Sequence, residues 1–180
     1  MRLLGILYRF TEIKDINALR TYFLSAVMPA VEYCSPVWAG AADSNLNQLN
    51  SVLSFFSAIV RNRNPSLRYA TKNEILETLR LLPFNTRRQV NDVRFLFQAI
   101  NGRFRSEELV NLFSLHVPGR RTRLCNTLHV PRSRLSVSQR SLAYRIPSLY
   151  NSISTTNKID FTYPQNLFFT NVVKKLTHKE

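Results

Sequence analysis

The sequence predicts a mainly α protein: a helical bundle followed by a basic, less regular extension that closes with a terminal helix. Three observations predict it. Apolar residues recur at helical spacing through the first 114 positions, the carboxylates then vanish while arginines persist, and a last apolar run regains the helical period. Hydrophobic residues make up 44% of the 180 positions, with 12 Phe, so the chain can bury a core. One domain, or a domain with a smaller appendage, fits this length.

The elements come in order. Leu3, Leu4, Ile6, Leu7 and Phe10 read as the end of a helix with no cap before it, as if the chain were cut from a longer one. Asp15 is placed to cap the next helix. Residues 19–38 are nearly charge-free, and Leu19, Tyr22, Phe23, Ala26 and Val27 form one apolar stripe. Pro29 is expected to interrupt the ladder, with Val31, Tyr33, Val37 and Trp38 carrying the apolar surface past Pro36. This is a buried first helix and its exit, and its apolar runs fall short of the ~18–20 residues that span a membrane.

Asp43 or Ser44 can cap the following helix, whose face is Leu46, Leu49, Val52, Leu53, Phe56, Ile59 and Val60. The basic stretch Arg61-Asn-Arg-Asn-Pro65 is expected to end it as a loop. Thr71-Lys-Asn-Glu74 has the form of a capping box, with Ile75, Leu76 and Leu79 inward and Pro83 as the stop. Asn85 or Thr86 begins a helix with Val90, Val93, Leu96, Phe97 and Ile100 inward and Gly102 as its C-cap. Ser106-Glu-Glu-Leu109 opens a short helix ending near Phe113. The bundle thus spans residues 1–114 and the extension 115–180.

In the extension, residues 109–159 contain no Asp or Glu but eight basic residues. Short strands or an extended arm suit its sparse apolar content. A helix from about Ser138, using Leu142, Ala143 and Ile146, is expected to end before Pro147, leaving Tyr150 and Ile153 in a turn. Pro164 introduces the last helix, with Leu167, Phe168, Val172, Val173 and Leu176 inward and Lys174 and Lys175 in its final turn.

Charge gives the functional signal. The formal net charge is +14, and 19 of the 25 basic residues are Arg, which suits a polyanionic partner. Arg120, Arg121, Arg123, Arg132, Arg134 and Arg140 in the extension, with Arg61 and Arg63 in the bundle, are the candidate phosphate donors. His129 and Tyr144 are placed to stack on unpaired bases. The plainer alternatives are a solvated arginine face and a Tyr144 ring packed on the bundle.

Chemistry of other kinds finds little support. The 11 carboxylates are scattered, and Glu12 with Asp15, Glu74 with Glu77, and Glu107 with Glu108 sit where helix surfaces want them. Neither GxxxxGK[ST] nor GxGxxG occurs, nor HExxH, GxSxG or DxD. Cys34 and Cys125 lie far apart, and His116, His129 and His178 share no ligand spacing. No cofactor, metal or disulfide is expected. The first residues are interrupted too soon by Arg9 and Glu12 for a signal peptide, so nucleus or cytoplasm is the expected location.

Leu4-Gly5 with Arg9 and residues 19–40, LRTYFLSAVMPAVEYCSPVWAG, are followed by LETLRLLPFNTRRQVNDVRFLFQAINGRF at 76–104, by Arg120 to Arg134, by Ser141 to Asn151 with Arg145 and Asn151, and by Phe169 to Leu176. In that order these runs resemble the C-terminal region of reverse transcriptases from non-LTR retrotransposons of the jockey-like and related arthropod groups. The resemblance implies a thumb-like bundle over residues 1–60, with Tyr33 and Trp38 as packing residues, and a post-thumb extension. It implies RNA or DNA held through phosphate contacts, with Arg61, Arg63 and Arg68 near a loop facing nucleic acid, and a palm-containing polypeptide as a partner. The sequence departs from that pattern where Tyr150 stands in place of Trp and Ser152-Ile153 in place of LP, and it lacks the palm's YxDD run. The expectation is an RNA-directed DNA polymerase fragment, inactive alone and binding nucleic-acid backbone. Its rival is a non-enzymatic helical protein-interaction module, or an inactive relic.

Overall fold

The structure is a computed structural model that describes residues 2–117, 126–154 and 161–177. The protein is mainly α. Among the described residues there is no β-sheet, only one antiparallel bridge between Leu115 and Leu128. The chain forms two compact units, the first of Met1–Ser35 and Ala41–Asn85, the second of Pro36–Gly40 and Thr86–Glu180.

In the first unit, α1 (Arg2–Arg9) turns Leu4 and Leu7 inward. Asp15 caps α2 (Ile16–Tyr22), its Oδ2 accepting from the Ala18 N–H at 2.8 Å. Pro29 does not break the helical path. A π-helical turn, Phe23–Val27, leads directly into α3 (Met28–Glu32), and the Met28 N–H reaches back five residues to the Phe23 carbonyl. The widened turn makes room for a proline ring that would clash in a regular ladder. Leu19, Phe23, Val27 and Met28 are buried along this continuous rod.

The apolar surface does not continue beyond it as the sequence predicts. Cys34, at φ 51°, turns the chain into α4 (Ser35–Trp38), leaving Tyr33 and Val37 77% and 73% exposed. Trp38 is half-buried.

Helix α5 (Asp43–Arg63) has Ala42 at its N-cap with no side-chain cap, so the cap position falls one residue before Asp43 and two before Ser44. Its inward face, including Leu46, Val52, Leu53, Phe56, Ile59 and Val60, follows the predicted stripe, and Phe56 stacks on Phe23 with centroids 4.0 Å apart. The helix runs through Arg61 and Arg63 rather than stopping in a loop before them. It ends at Asn64, which precedes Pro65 and is therefore held extended.

The capping box of α6 (Lys72–Thr78) is formed as predicted. Its stop lies before Pro83. Arg80 adopts φ 50°, its N–H bonds to the Glu77 carbonyl, and the Leu81 N–H bonds to the Leu76 carbonyl. This is a Schellman end with arginine where glycine is usual.

In the second unit, α7 (Phe84–Ile100), whose first two residues belong to the first unit, buries Val90, Val93, Leu96 and Phe97. Ile100 is not inward; Ala99 takes the buried position. Gly102, at φ 65°, completes a second Schellman end. After α8 (Glu107–Asn111) and α9 (Ser136–Gln139), α10 (Leu142–Ser154) passes straight through Pro147. Ile146, Tyr150 and Ile153 therefore share one buried helical face instead of ending at the proline. The missing proline N–H costs one ladder bond near the helix start, and burial of that face outweighs it.

Helix α11 (Gln165–Thr177) places Phe168, Val172 and Leu176 against this core, while Leu167 is exposed. The rings of Phe97, Phe168, Tyr150 and Phe161 form a chain of contacts through its centre.

Candidate functional site

In the first unit the arginines near the end of α5 act inside the protein. Arg63 donates from Nη2 to the Leu7 carbonyl and from Nη1 to the Ile13 carbonyl, at 2.5 and 3.0 Å. Those acceptors include the last turn of α1, where unpaired carbonyls and the helix dipole favour a cation. Burial lowers the Arg63 pKa from its usual value. Arg61 keeps its Nε buried with no hydrogen-bond partner among the described residues. Arg20 performs a similar service for α6, its Nε donating to the Leu79 carbonyl at 2.7 Å.

Arg63 joins α1 to α5, and an apolar surface lies along the same two helices. Tyr8 lies beside Phe55 with ring centroids 6.0 Å apart, although the two are 59% and 42% exposed. Ile6, Phe10 and Ile13 are exposed on α1 and the turn after it. Along α1 there is also an apolar cleft of about 460 Å³, lined by Leu3, Leu4, Val27, Ala30, Val31 and Val52 with Arg2 the one charged residue in its wall. The doublet Phe55-Phe56 was the available sequence signal for this surface, because with Phe56 centred on the inward stripe the adjacent ring is turned toward its edge.

The second unit carries most of the positive charge: sixteen basic residues against five acidic ones. Arg120, Arg121 and Arg123 lie outside the described residues. Arg132 and Arg134 are exposed, two apart in a segment without helix. Arg140 is exposed too, and its carbonyl accepts from Arg145. His129 is exposed and Tyr144 half-buried.

Arg145 is held where the unit packs most tightly. Its Nε and Nη2 donate to the two oxygens of Asp92, each at 3.0 Å; Nη2 also donates to the Pro36 carbonyl at 2.8 Å and Nη1 to the Arg140 carbonyl at 3.0 Å. Asp92 is almost wholly buried. Desolvation pushes its carboxyl above the usual range, opposed by the hydrogen bonds and charge of Arg145 and by the charge of Arg88. Gly40 is obligatory here, since a Cβ would run into the Arg140 carbonyl. Asn151 is buried and pairs with the backbone of Leu128, accepting from its N–H at 3.1 Å and donating to its carbonyl at 2.8 Å. Arg145 and Asn151, marked in the sequence by resemblance alone, thus serve as internal ties.

Among the described residues, no group of three or more His, Cys, Asp or Glu is arranged to hold a metal ion. No described helix is long and apolar enough to cross a membrane. Comparison with protein-family models, curated proteins and solved structures found no match.

Proposed function

We propose that the chain is a non-enzymatic helical interaction module whose partner is a protein docking on the α1–α5 face of the first unit. The observation that carries the reading is the Tyr8–Phe55 pair, two neighbouring aromatic rings that are both exposed, with Ile6, Phe10 and Ile13 also exposed on α1 and the turn after it. Exposed aromatic clusters on a rigid helical pair are what a partner's apolar side chains bury. The lack, among the described residues, of any group of three or more His, Cys, Asp or Glu, such as a phosphoryl-transfer metal centre uses, favours binding over phosphoryl chemistry. The test is a photo-crosslinking residue placed at Phe55, with Tyr69 of the same unit, 92% exposed, as the control. A discrete protein adduct from position 55 and none from position 69 supports the reading; identical patterns from both refute it.

A second reading is favoured by a different observation. The exposed Arg132 and Arg134, in a stretch free of carboxylates, suit nucleic-acid phosphates, as a piece of a retroelement reverse transcriptase would require. Support also comes from Arg145, which ties the Pro36 carbonyl to α10 and so joins two of the runs that carry that resemblance. On this reading the protein docking on α1 is a palm-containing polypeptide. Fluorescence anisotropy with labelled RNA and DNA across a salt series tests it. A steep loss of affinity with salt supports it, and no binding at low salt refutes it.

A further inference from the structure

We infer that His116 and His129 form a two-imidazole site for a borderline divalent cation such as Zn²⁺, Ni²⁺ or Cu²⁺. Sequence spacing hides the pair, since the residues lie on two segments that only the fold brings together. The His116 N–H donates to the Thr127 carbonyl at 3.0 Å, and the His129 N–H donates to the Ser114 carbonyl at 2.9 Å, on either side of the Leu115–Leu128 bridge. Those bonds set the register. Leu115 and Leu128 share one face of the short ladder, and Ser114, His116, Thr127 and His129 share the other.

On that second face the two histidines are diagonal neighbours, whose Cβ atoms stand at most ~7–8 Å apart in such ladders, within reach of two ring side chains converging on one ion. Both are exposed, while Leu128 on the opposite face is buried. Asn151 grips Leu128 through both of its backbone polar groups, so the segment carrying His129 is held in place. Neutral imidazole suits these metals, and no carboxylate or thiolate is needed for a two-ligand site. The remaining coordination positions are open to water or to a donor on a partner. The site is therefore exchangeable, and distinct from a closed structural zinc site.

The test is calorimetric titration of the full chain with Zn²⁺ and Ni²⁺, in a background with Cys34→Ser and Cys125→Ser to remove the thiols. His178, the third histidine, serves as the internal control. One ion is expected to bind per chain, with affinity lowered about tenfold or more by either His116→Gln or His129→Gln and unchanged by His178→Gln. Circular dichroism checks that each variant keeps its helix content; Ser114→Ala, which leaves both imidazoles in place, is expected to bind as the parent does. No binding by the parent chain, full binding by either single-histidine variant, or loss of binding in His178→Gln overturns the proposal.

Discussion

Arg145 grips Asp92 through two parallel hydrogen bonds of 3.0 Å, and the same guanidinium donates to the carbonyls of Pro36 and Arg140. One side chain of α10 thereby gathers α7, the end of α9 and the Pro36–Gly40 segment within the second unit. Some of what looks like surface charge in the sequence has such an internal use. Arg20, Arg63 and Lys175 each donate to a carbonyl at or near a helix end. The excess of arginine is thus partly a device for closing short helices, whose carbonyl ends would otherwise lack partners.

Breaking the Arg145–Asp92 pair from one side is expected to be costly. Arg145→Met takes the hydrogen-bonded partner from a buried carboxylate, a loss of about 3–5 kcal/mol, whereas Arg145→Met with Asp92→Leu recovers part of it. Recovery stays incomplete because the Pro36 and Arg140 carbonyls lose their donor. Urea unfolding of the two single variants and the double variant measures the coupling.

The pH dependence of that pair has a definite sign. Asp92 has a folded-state pKa raised by burial, so the folded state holds its proton at a pH where the unfolded chain has released it. Wild-type stability relative to Asp92→Asn is therefore expected to rise as pH falls through the raised value. It levels off below the unfolded value of about 3.9. Unfolding midpoints of both proteins across that window check this, since the other carboxylates cancel in the difference.

Arg80→Gly is expected to stabilise the first unit by about 0.5–1 kcal/mol. The position has φ 50° in a Schellman turn, where glycine carries no Cβ penalty. Thermal unfolding reads the gain as a higher Tm. Gly40→Ala should move the other way, because its Cβ meets backbone rather than a side chain that can swing aside.

If the exposed arginines hold nucleic acid, replacing Arg132 and Arg134 together by alanine should flatten the salt dependence of binding by a slope of about 1.5. Arg63→Ala should destabilise the first unit instead, since its donors are spent on the Leu7 and Ile13 carbonyls. Anisotropy paired with thermal melts separates the two effects.

The helical class was legible because periodicity reports burial directly: Leu46 to Val60 and Val90 to Phe97 follow their predicted stripes, and the Asp15 and Thr71 caps form as their spacing indicates. The prolines misled. Pro29 and Pro147 both lie in continuous helix, because a π turn absorbs one and a buried face outweighs the lost bond at the other. Asp92 could not be found from sequence, since its partner lies 53 residues away on another helix. Nor could the Tyr8–Phe55 pair, which depends on how α1 and α5 cross. Arginine in a sequence declares charge and says nothing of whether water, phosphate or a carbonyl will receive it.

The most direct measurement is the identity of the partner that crosslinks at position 55. The adduct formed there should be destroyed by protease, resist nuclease, and persist when Arg132 and Arg134 are replaced by alanine. An adduct that nuclease removes, or one equally abundant from position 69, would contradict a protein partner on the α1–α5 face.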